Sequence, residues 1–287
     1  MRILDTTLKS LCFFPIFLSI SLATFAGGGG KLDFKNSALV SGTPGADGAI
    51  YRFPNVDKDL DALVTIKGRS DALAYLVDLD MITSGFDKAW QPQVGYNAGT
   101  APGPADWWME FEIVFVEKGT SKQKEINEFV LSAIDIDGNG HLIREYVAMY
   151  GFESYMLETN SVLSLTNVTG TIGNPAANGK RFDGPTVNYL NIDTSGTAVM
   201  TTAMYEKTTS FSIRVGGVSS GVSGASERMY SLYFQEFKYS QPQTAVLPVH
   251  LTSFNATLNG SVAKIDWKWD SEAPVSHFTV ERSDDGK

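Results

Sequence analysis

The chain has 287 residues, 43% hydrophobic and 19% charged, with a formal net charge of −9. That balance belongs to a globular protein rather than a disordered one, and the length suffices for one large domain or two. An acidic chain lacks the clustered Lys and Arg that neutralise phosphates, so nucleic acid is not an expected partner, whereas its carboxylates suit cations.

Residues 1–26 read as a secretory leader. Arg2 and Lys9 give a positive start, Leu11 to Phe25 is an apolar run too short to span a bilayer comfortably, and Thr24-Phe25-Ala26 leads into Gly27. Cys12, the only cysteine, falls inside this segment. The mature chain is therefore expected to rely on its core, or on core plus bound metal, without disulfides. No second apolar run reaches transmembrane length, so the expected location is secreted or cell-surface, with no transmembrane segment in the mature chain.

After the leader, short β-type runs alternate with turn clusters. Strands are expected at 49–53, 62–67, 72–79 and 107–117. Residues 129–155 read as a strand, a tight acidic loop and a returning strand. Further strands are expected at 187–192, 197–205, 210–215 and 229–239. Phe211, Ile213 and Val215 fall on one face of their run and Ser212 and Arg214 on the other, the period of a half-buried strand. Residues 57–64 have room for one helical turn, and 121–129 for a short helix or a polar loop. The segments 91–106 and 170–184 are rich in Gly, Pro and Asn and read as loops at the ends of the fold. Many short strands with Gly-rich turns predict an all-β, antiparallel, jelly-roll-like β-sandwich over residues 31–240. A linker follows at 241–246.

Residues 247–287 contain LPVHLTSFNATLNG and, further on, SHFTVERSDDGK. This pattern resembles the start of the fibronectin-III-like module of exported Bacteroidetes proteins. In that family the module often precedes a sorting domain of the type IX secretion system, which implies attachment at the cell surface. The family usually has Trp-Thr-Thr-Ala where this chain has Trp267-Lys268-Trp269-Asp270. A whole module needs about 90–100 residues, so this stretch is expected to be an incomplete, leading part.

The acidic loop Asp135-Ile136-Asp137-Gly138-Asn139-Gly140 matches the opening of an EF-hand calcium loop, in which alternate side chains converge on one point. The twelfth position is Tyr146, with the acid one place early at Glu145, and the flanks read as strands. The expectation is a calcium-holding hairpin using Asp135, Asp137, Asn139 and Glu145. The alternative is a plain hairpin turn, which Asp-Gly and Asn-Gly favour without any metal.

Glu110 and Glu112 lie at i and i+2 on one strand and so share a face. Two carboxylates in that relation can serve a retaining glycosidase as nucleophile and acid. Jelly-roll glucanases usually carry a further acid two or three places on, where this chain has Val114 and Phe115. Gly217-Val218-Ser219-Ser220-Gly221 fits G-x-S-x-G but lacks the following helix that a nucleophile elbow requires. Trp90, Tyr96, Trp107 and Trp108 flank the loop at 91–106 and are candidates to stack on sugar rings. Alternation sends Trp107 and Trp108 to opposite faces, one toward the core. These readings favour a non-catalytic binding or adhesion module, with an extracellular glycan or a surface protein as partner and calcium fixing a loop. The alternatives are a jelly-roll glycoside hydrolase or lyase using Glu110 and Glu112, and a spacer with no ligand.

Overall fold

A computed structural model describes residues 16–19, 30–82, 88–100, 103–246, 249–259, 262–271 and 279–282. The leader expected over 1–26 therefore lies outside the described residues except at 16–19. In chain order the strands are β1 (Ile16–Ser19), β2 (Ala38–Ser41), β3 (Ile50–Asp57), β4 (Leu60–Arg69), β5 (Ala74–Asp78), β6 (Gln93–Asn97), β7 (Ala105–Glu117), β8 (Ile126–Ile134), β9 (Ile143–Tyr150), β10 (Ser154–Glu158), β11 (Ser164–Thr171), β12 (Asn174–Asp183), β13 (Thr201–Thr208), β14 (Ser210–Ser219), β15 (Ala225–Met229), β16 (Ser231–Tyr233), β17 (Pro242–Val246), β18 (Val249–Asn259), β19 (Val262–Ser271) and β20 (Thr279–Arg282). Every strand pairing among the described residues is antiparallel.

The chain divides into two units, residues 1–23 with 275–287 and residues 24–274. In the first, β1 and β20 form a two-stranded ribbon with Ile16 opposite Arg282. In the second, an eight-stranded sheet runs β11-β12-β9-β14-β7-β4-β3-β2 and a five-stranded sheet runs β16-β8-β13-β10-β17. A smaller sheet has the order β15-β6-β5, and β18 and β19 make a two-stranded hairpin.

The two large sheets share one core. Ile66, Trp107, Phe111, Phe115, Met149 and Ile213 from the first meet Phe129, Leu131, Ala133, Tyr205 and Leu232 from the second. Phe129 stacks on Tyr205 with ring centroids 4.8 Å apart and meets Phe115 edge-on at 5.2 Å. β7 shows why the sequence does this. Trp107, Met109, Phe111, Ile113 and Phe115 are wholly buried at alternate positions, so the period of two sends each of them to the core. No helix among the described residues is long and apolar enough to cross a membrane.

Local composition misleads in several places. Residues 170–184 are not a loop, because β12 lies between β11 and β9 and pairs on both sides. β9 pairs only with Gly179–Asp183, while Asn174–Asn178, of low strand propensity, are held as the outer end of the hairpin by β11 alone. The loop expected at 91–106 contains β6. Residues 57–64 form the β3–β4 hairpin, and residues 121–129 hold the start of β8 and no helix. The expected strand at 229–239 shortens to β16. Conversely, the expected strand at 187–192 is a loop, whose backbone bonds to a turn rather than to a neighbouring strand.

Candidate functional site

The site is built where the β8–β9 connection meets the segment after β12. β8 ends at Ile134, and Asp135 takes a left-handed φ of 61°, turning the chain out of the sheet. Gly138 then meets the second segment backbone to backbone. A Cβ on it would lie 2.5 Å from the Thr186 carbonyl oxygen and 2.6 Å from that of Pro185. Gly184 approaches the turn as closely from the other side, since its Cβ would lie 2.4 Å from the Ile136 carbonyl oxygen. Only glycine fits such contacts. The Gly138 N–H donates to the Val187 carbonyl at 3.0 Å and the Gly140 N–H to that of Thr186 at 2.8 Å.

Three of the four proposed metal ligands gather here, together with an arginine. Asp137 and Glu145 are buried. Glu145 shares a strand face with the core residues Val147 and Met149, so the pleat carries its carboxylate inward. Arg228, on β15, donates Nε–H to Glu145 Oε1, and its Nη2 donates to Asp137 Oδ1 at 3.3 Å and to the Gly138 carbonyl at 3.2 Å. Asp137 Oδ2 accepts the Tyr189 N–H at 2.5 Å. Asp135 accepts no hydrogen bond from the described residues but feels the charges of Asp137, Arg228 and Asp193.

One guanidinium thus faces three carboxylates, and their proton affinities register the imbalance. Burial pushes Glu145 up to about 8, opposed by Arg228 and reinforced by Asp137 and Asp135. Burial, then the charge of Asp137, lifts Asp135 to about 7. Asp137 is raised as well, by burial, against the pull of the Tyr189 N–H and of Arg228. Asn139 stands apart. Its Oδ1 accepts the N–H groups of His141, Leu142 and Ile143 at 3.0, 2.9 and 2.9 Å, so it caps the turn. Among the described residues no three His, Cys, Asp or Glu side chains converge as a metal-holding group.

Above this base the loop from Thr186 to Asn191 is exposed at every residue. Val187 is 56% exposed, Tyr189 38% and Leu190 81%. Sequence reasoning missed both this tip and Arg228. The only signal was an apolar run between Pro185 and Asp193 too short to arbitrate between strand and loop.

Glu110 and Glu112 do share the outer face of β7, but they are not a free pair. Glu110 is wholly buried, accepting Arg214 Nε–H and the Ile172 N–H, both at 2.7 Å. The tip of the β11–β12 hairpin lies over it, so the acidic face is sealed there. Glu112 pairs separately with Lys67 Nζ at 3.1 Å. The aromatic candidates also separate. Trp90 and Trp107 are wholly buried and present no face to solvent, with Trp90 Nε1 donating to the Leu79 carbonyl at 2.9 Å. Tyr96 packs parallel to Trp107 at 6.0 Å. Trp108 faces outward, as alternation requires, but the Arg214 guanidinium covers its ring at 4.3 Å.

The Gly217–Gly221 motif is structural. A Cβ on Gly217 would lie 2.7 Å from the Trp107 indole, and Ser219 Oγ accepts the Gly221 and Val222 N–H groups.

No protein-family model matches this chain, and no curated protein is significantly similar to it.

Proposed function

We propose that the protein is a non-catalytic binding module of the cell exterior, and that it docks a protein partner through the loop from Thr186 to Asn191. One observation carries this reading. A loop presenting Val187, Tyr189 and Leu190 to water is fastened to the Asp137 turn by two backbone–backbone hydrogen bonds, at Thr186 and Val187, and by the Tyr189 N–H on the Asp137 carboxylate. Exposed apolar groups gain about 25 cal/mol per Å² on leaving water, and a prefastened loop loses little entropy on docking. Val187 and Leu190 offer no hydrogen bonds to sugar hydroxyls, which favours a protein over a glycan. The exposed carboxylate of Asp193 at the same end, with the net charge of −9, suits an apolar pocket rimmed by basic residues. The hydrolase alternative loses ground because Glu110 is sealed in its ion pair.

The test presents a random peptide library on phage, and separately an array of immobilised glycans, to the full chain and to Leu190→Asp. The reading expects apolar peptides with Lys or Arg flanks to be enriched on the natural protein and lost on the variant. Equal enrichment on both, or none on either, would sink it. Glycan binding that vanishes in Tyr189→Ala would move the partner to a sugar.

A second reading, calcium at the same turn, is favoured by the excess of Asp135, Asp137 and Glu145 over Arg228. Melts of the full chain in calcium and in EDTA separate the two. A ligand at a hundredfold excess over Kd adds about 2.7 kcal/mol, so an upward shift of several degrees carries calcium and coincident curves remove it.

A further inference from the structure

We infer that Arg228 is the positioning residue of the binding tip, acting through Asp137; this rests on the reading of the Thr186–Asn191 loop as that tip. Arg228 makes no hydrogen bond to the loop among the described residues. It instead joins Glu145, Asp137 and the Gly138 carbonyl with one planar fork. Asp137 is the intermediary. One of its oxygens faces the guanidinium and the other holds the Tyr189 N–H.

The Gly138 and Gly140 N–H groups hold the loop at the Val187 and Thr186 carbonyls, and the Asp137 tether adds the hold at Tyr189, where the side chains anchor nothing. Val187, Tyr189 and Leu190 are exposed, and among the described residues the nearest apolar attachment is Ile192, just beyond the loop, which packs on the cluster containing Ala89 and Met200. Asp137 is free to point at the tip only while its charge is matched, since a buried carboxylate without a partner is costly. Arg228 supplies that match from β15, a strand of the small sheet, so the small sheet sets the attitude of a loop it does not touch through hydrogen bonds. A lysine at this position carries the charge on a single head and cannot fork between Glu145 and Asp137. An asparagine at 137 keeps an oxygen for the Tyr189 N–H and loses the charge that orients it.

The experiment is amide hydrogen exchange by NMR on the full chain, without any ligand, for the natural protein, Arg228→Lys and Asp137→Asn. Tyr189 is the reporter, and the Phe111 and Ile213 amides are the core references. The inference expects Tyr189 to exchange about tenfold faster in both variants, with the references changed by less than about twofold. An unchanged Tyr189 in Arg228→Lys, or one that accelerates only in step with the core, would overturn it. Should a variant fail to fold, the natural protein decides: Tyr189 must exchange about tenfold more slowly than Asn188, and equal rates overturn the inference. If Tyr189 responds to Arg228→Lys while peptide selection is indifferent to Leu190→Asp, positioning stands and the binding reading falls.

Discussion

Two places in this molecule use the same device to different ends. At each, a buried carboxylate held by an arginine captures the backbone N–H of a loop tip. Glu110 with Arg214 takes Ile172, at 2.7 Å, and Asp137 with Arg228 takes Tyr189, at 2.5 Å. The first draws a hairpin tip down onto the sheet, where the Ile172 side chain packs against Gly68. The second holds a loop up in water with Leu190 bare. The charge count differs as well: Arg214 serves Glu110 alone, whereas Arg228 answers to Asp137 and Glu145, with Asp135 beside them. A matched pair seals a surface. An over-subscribed arginine leaves carboxylates whose protonation remains negotiable near neutral pH, in a place where loop geometry depends on them.

The harshest way to break the comparison is to remove the arginines. Arg228→Met strands two buried carboxylates and is expected to cost about 3–5 kcal/mol, a fall in Tm on the order of ten degrees. Arg214→Met should cost less, because it strands one buried carboxylate rather than two. Equal losses in the two melts would erase the distinction.

Next comes pH. Glu145 and Asp135 hold their protons more tightly folded than unfolded, where carboxyls titrate near about 4. Their contribution to stability is therefore complete below about pH 4 and is lost as pH rises toward 8. The Tm is expected to fall by several degrees between pH 5 and pH 8, and Glu145→Gln should lessen that slope, the remainder coming from Asp135 and from Asp80 and Glu153, which burial also raises to about 7. A Tm that climbs over this interval contradicts the assignment. Gly138→Ala is expected to cost about 1–3 kcal/mol by forcing the turn away from Thr186 and Pro185. Smallest of all, Leu190→Asp should move stability by no more than about 0.5 kcal/mol while removing peptide binding. A large loss of stability would show that Leu190 packs rather than presents.

The sandwich was legible because its strands alternate. Trp107 to Phe115 and Phe211 to Val215 declare their inner faces without reference to any other residue. The turn at Asp135–Gly140 was legible for a related reason, as its glycines mark it locally. Its chemistry was not. Asp135, Asp137 and Glu145 signal a cation, but the counter-charge beside them comes from Arg228, 83 positions beyond Glu145. No local pattern reports a partner brought in by strand order. Asn139 has the residue type of a ligand and the hydrogen bonds of a cap, a choice that three backbone N–H groups decide. The loop at 186–191 was misjudged because Val, Tyr, Leu and Ile favour strands, while its nearest backbone partners belong to a glycine turn. The acids of β7 were paired correctly on one face, yet nothing in that run shows that a hairpin tip 62 residues later covers Glu110.

The most direct test is hydrogen exchange of two amides, Ile172 and Tyr189, in the unmodified protein. Both belong to tips with exposed side chains, and both are expected to exchange about tenfold more slowly than their neighbours Gly173 and Leu190. That result would show two tips held by buried carboxylates, one lowered onto the sheet and one presented to solvent. Protection at Ile172 with Tyr189 exchanging as fast as Leu190 would contradict the account, leaving the loop without its Asp137 tether.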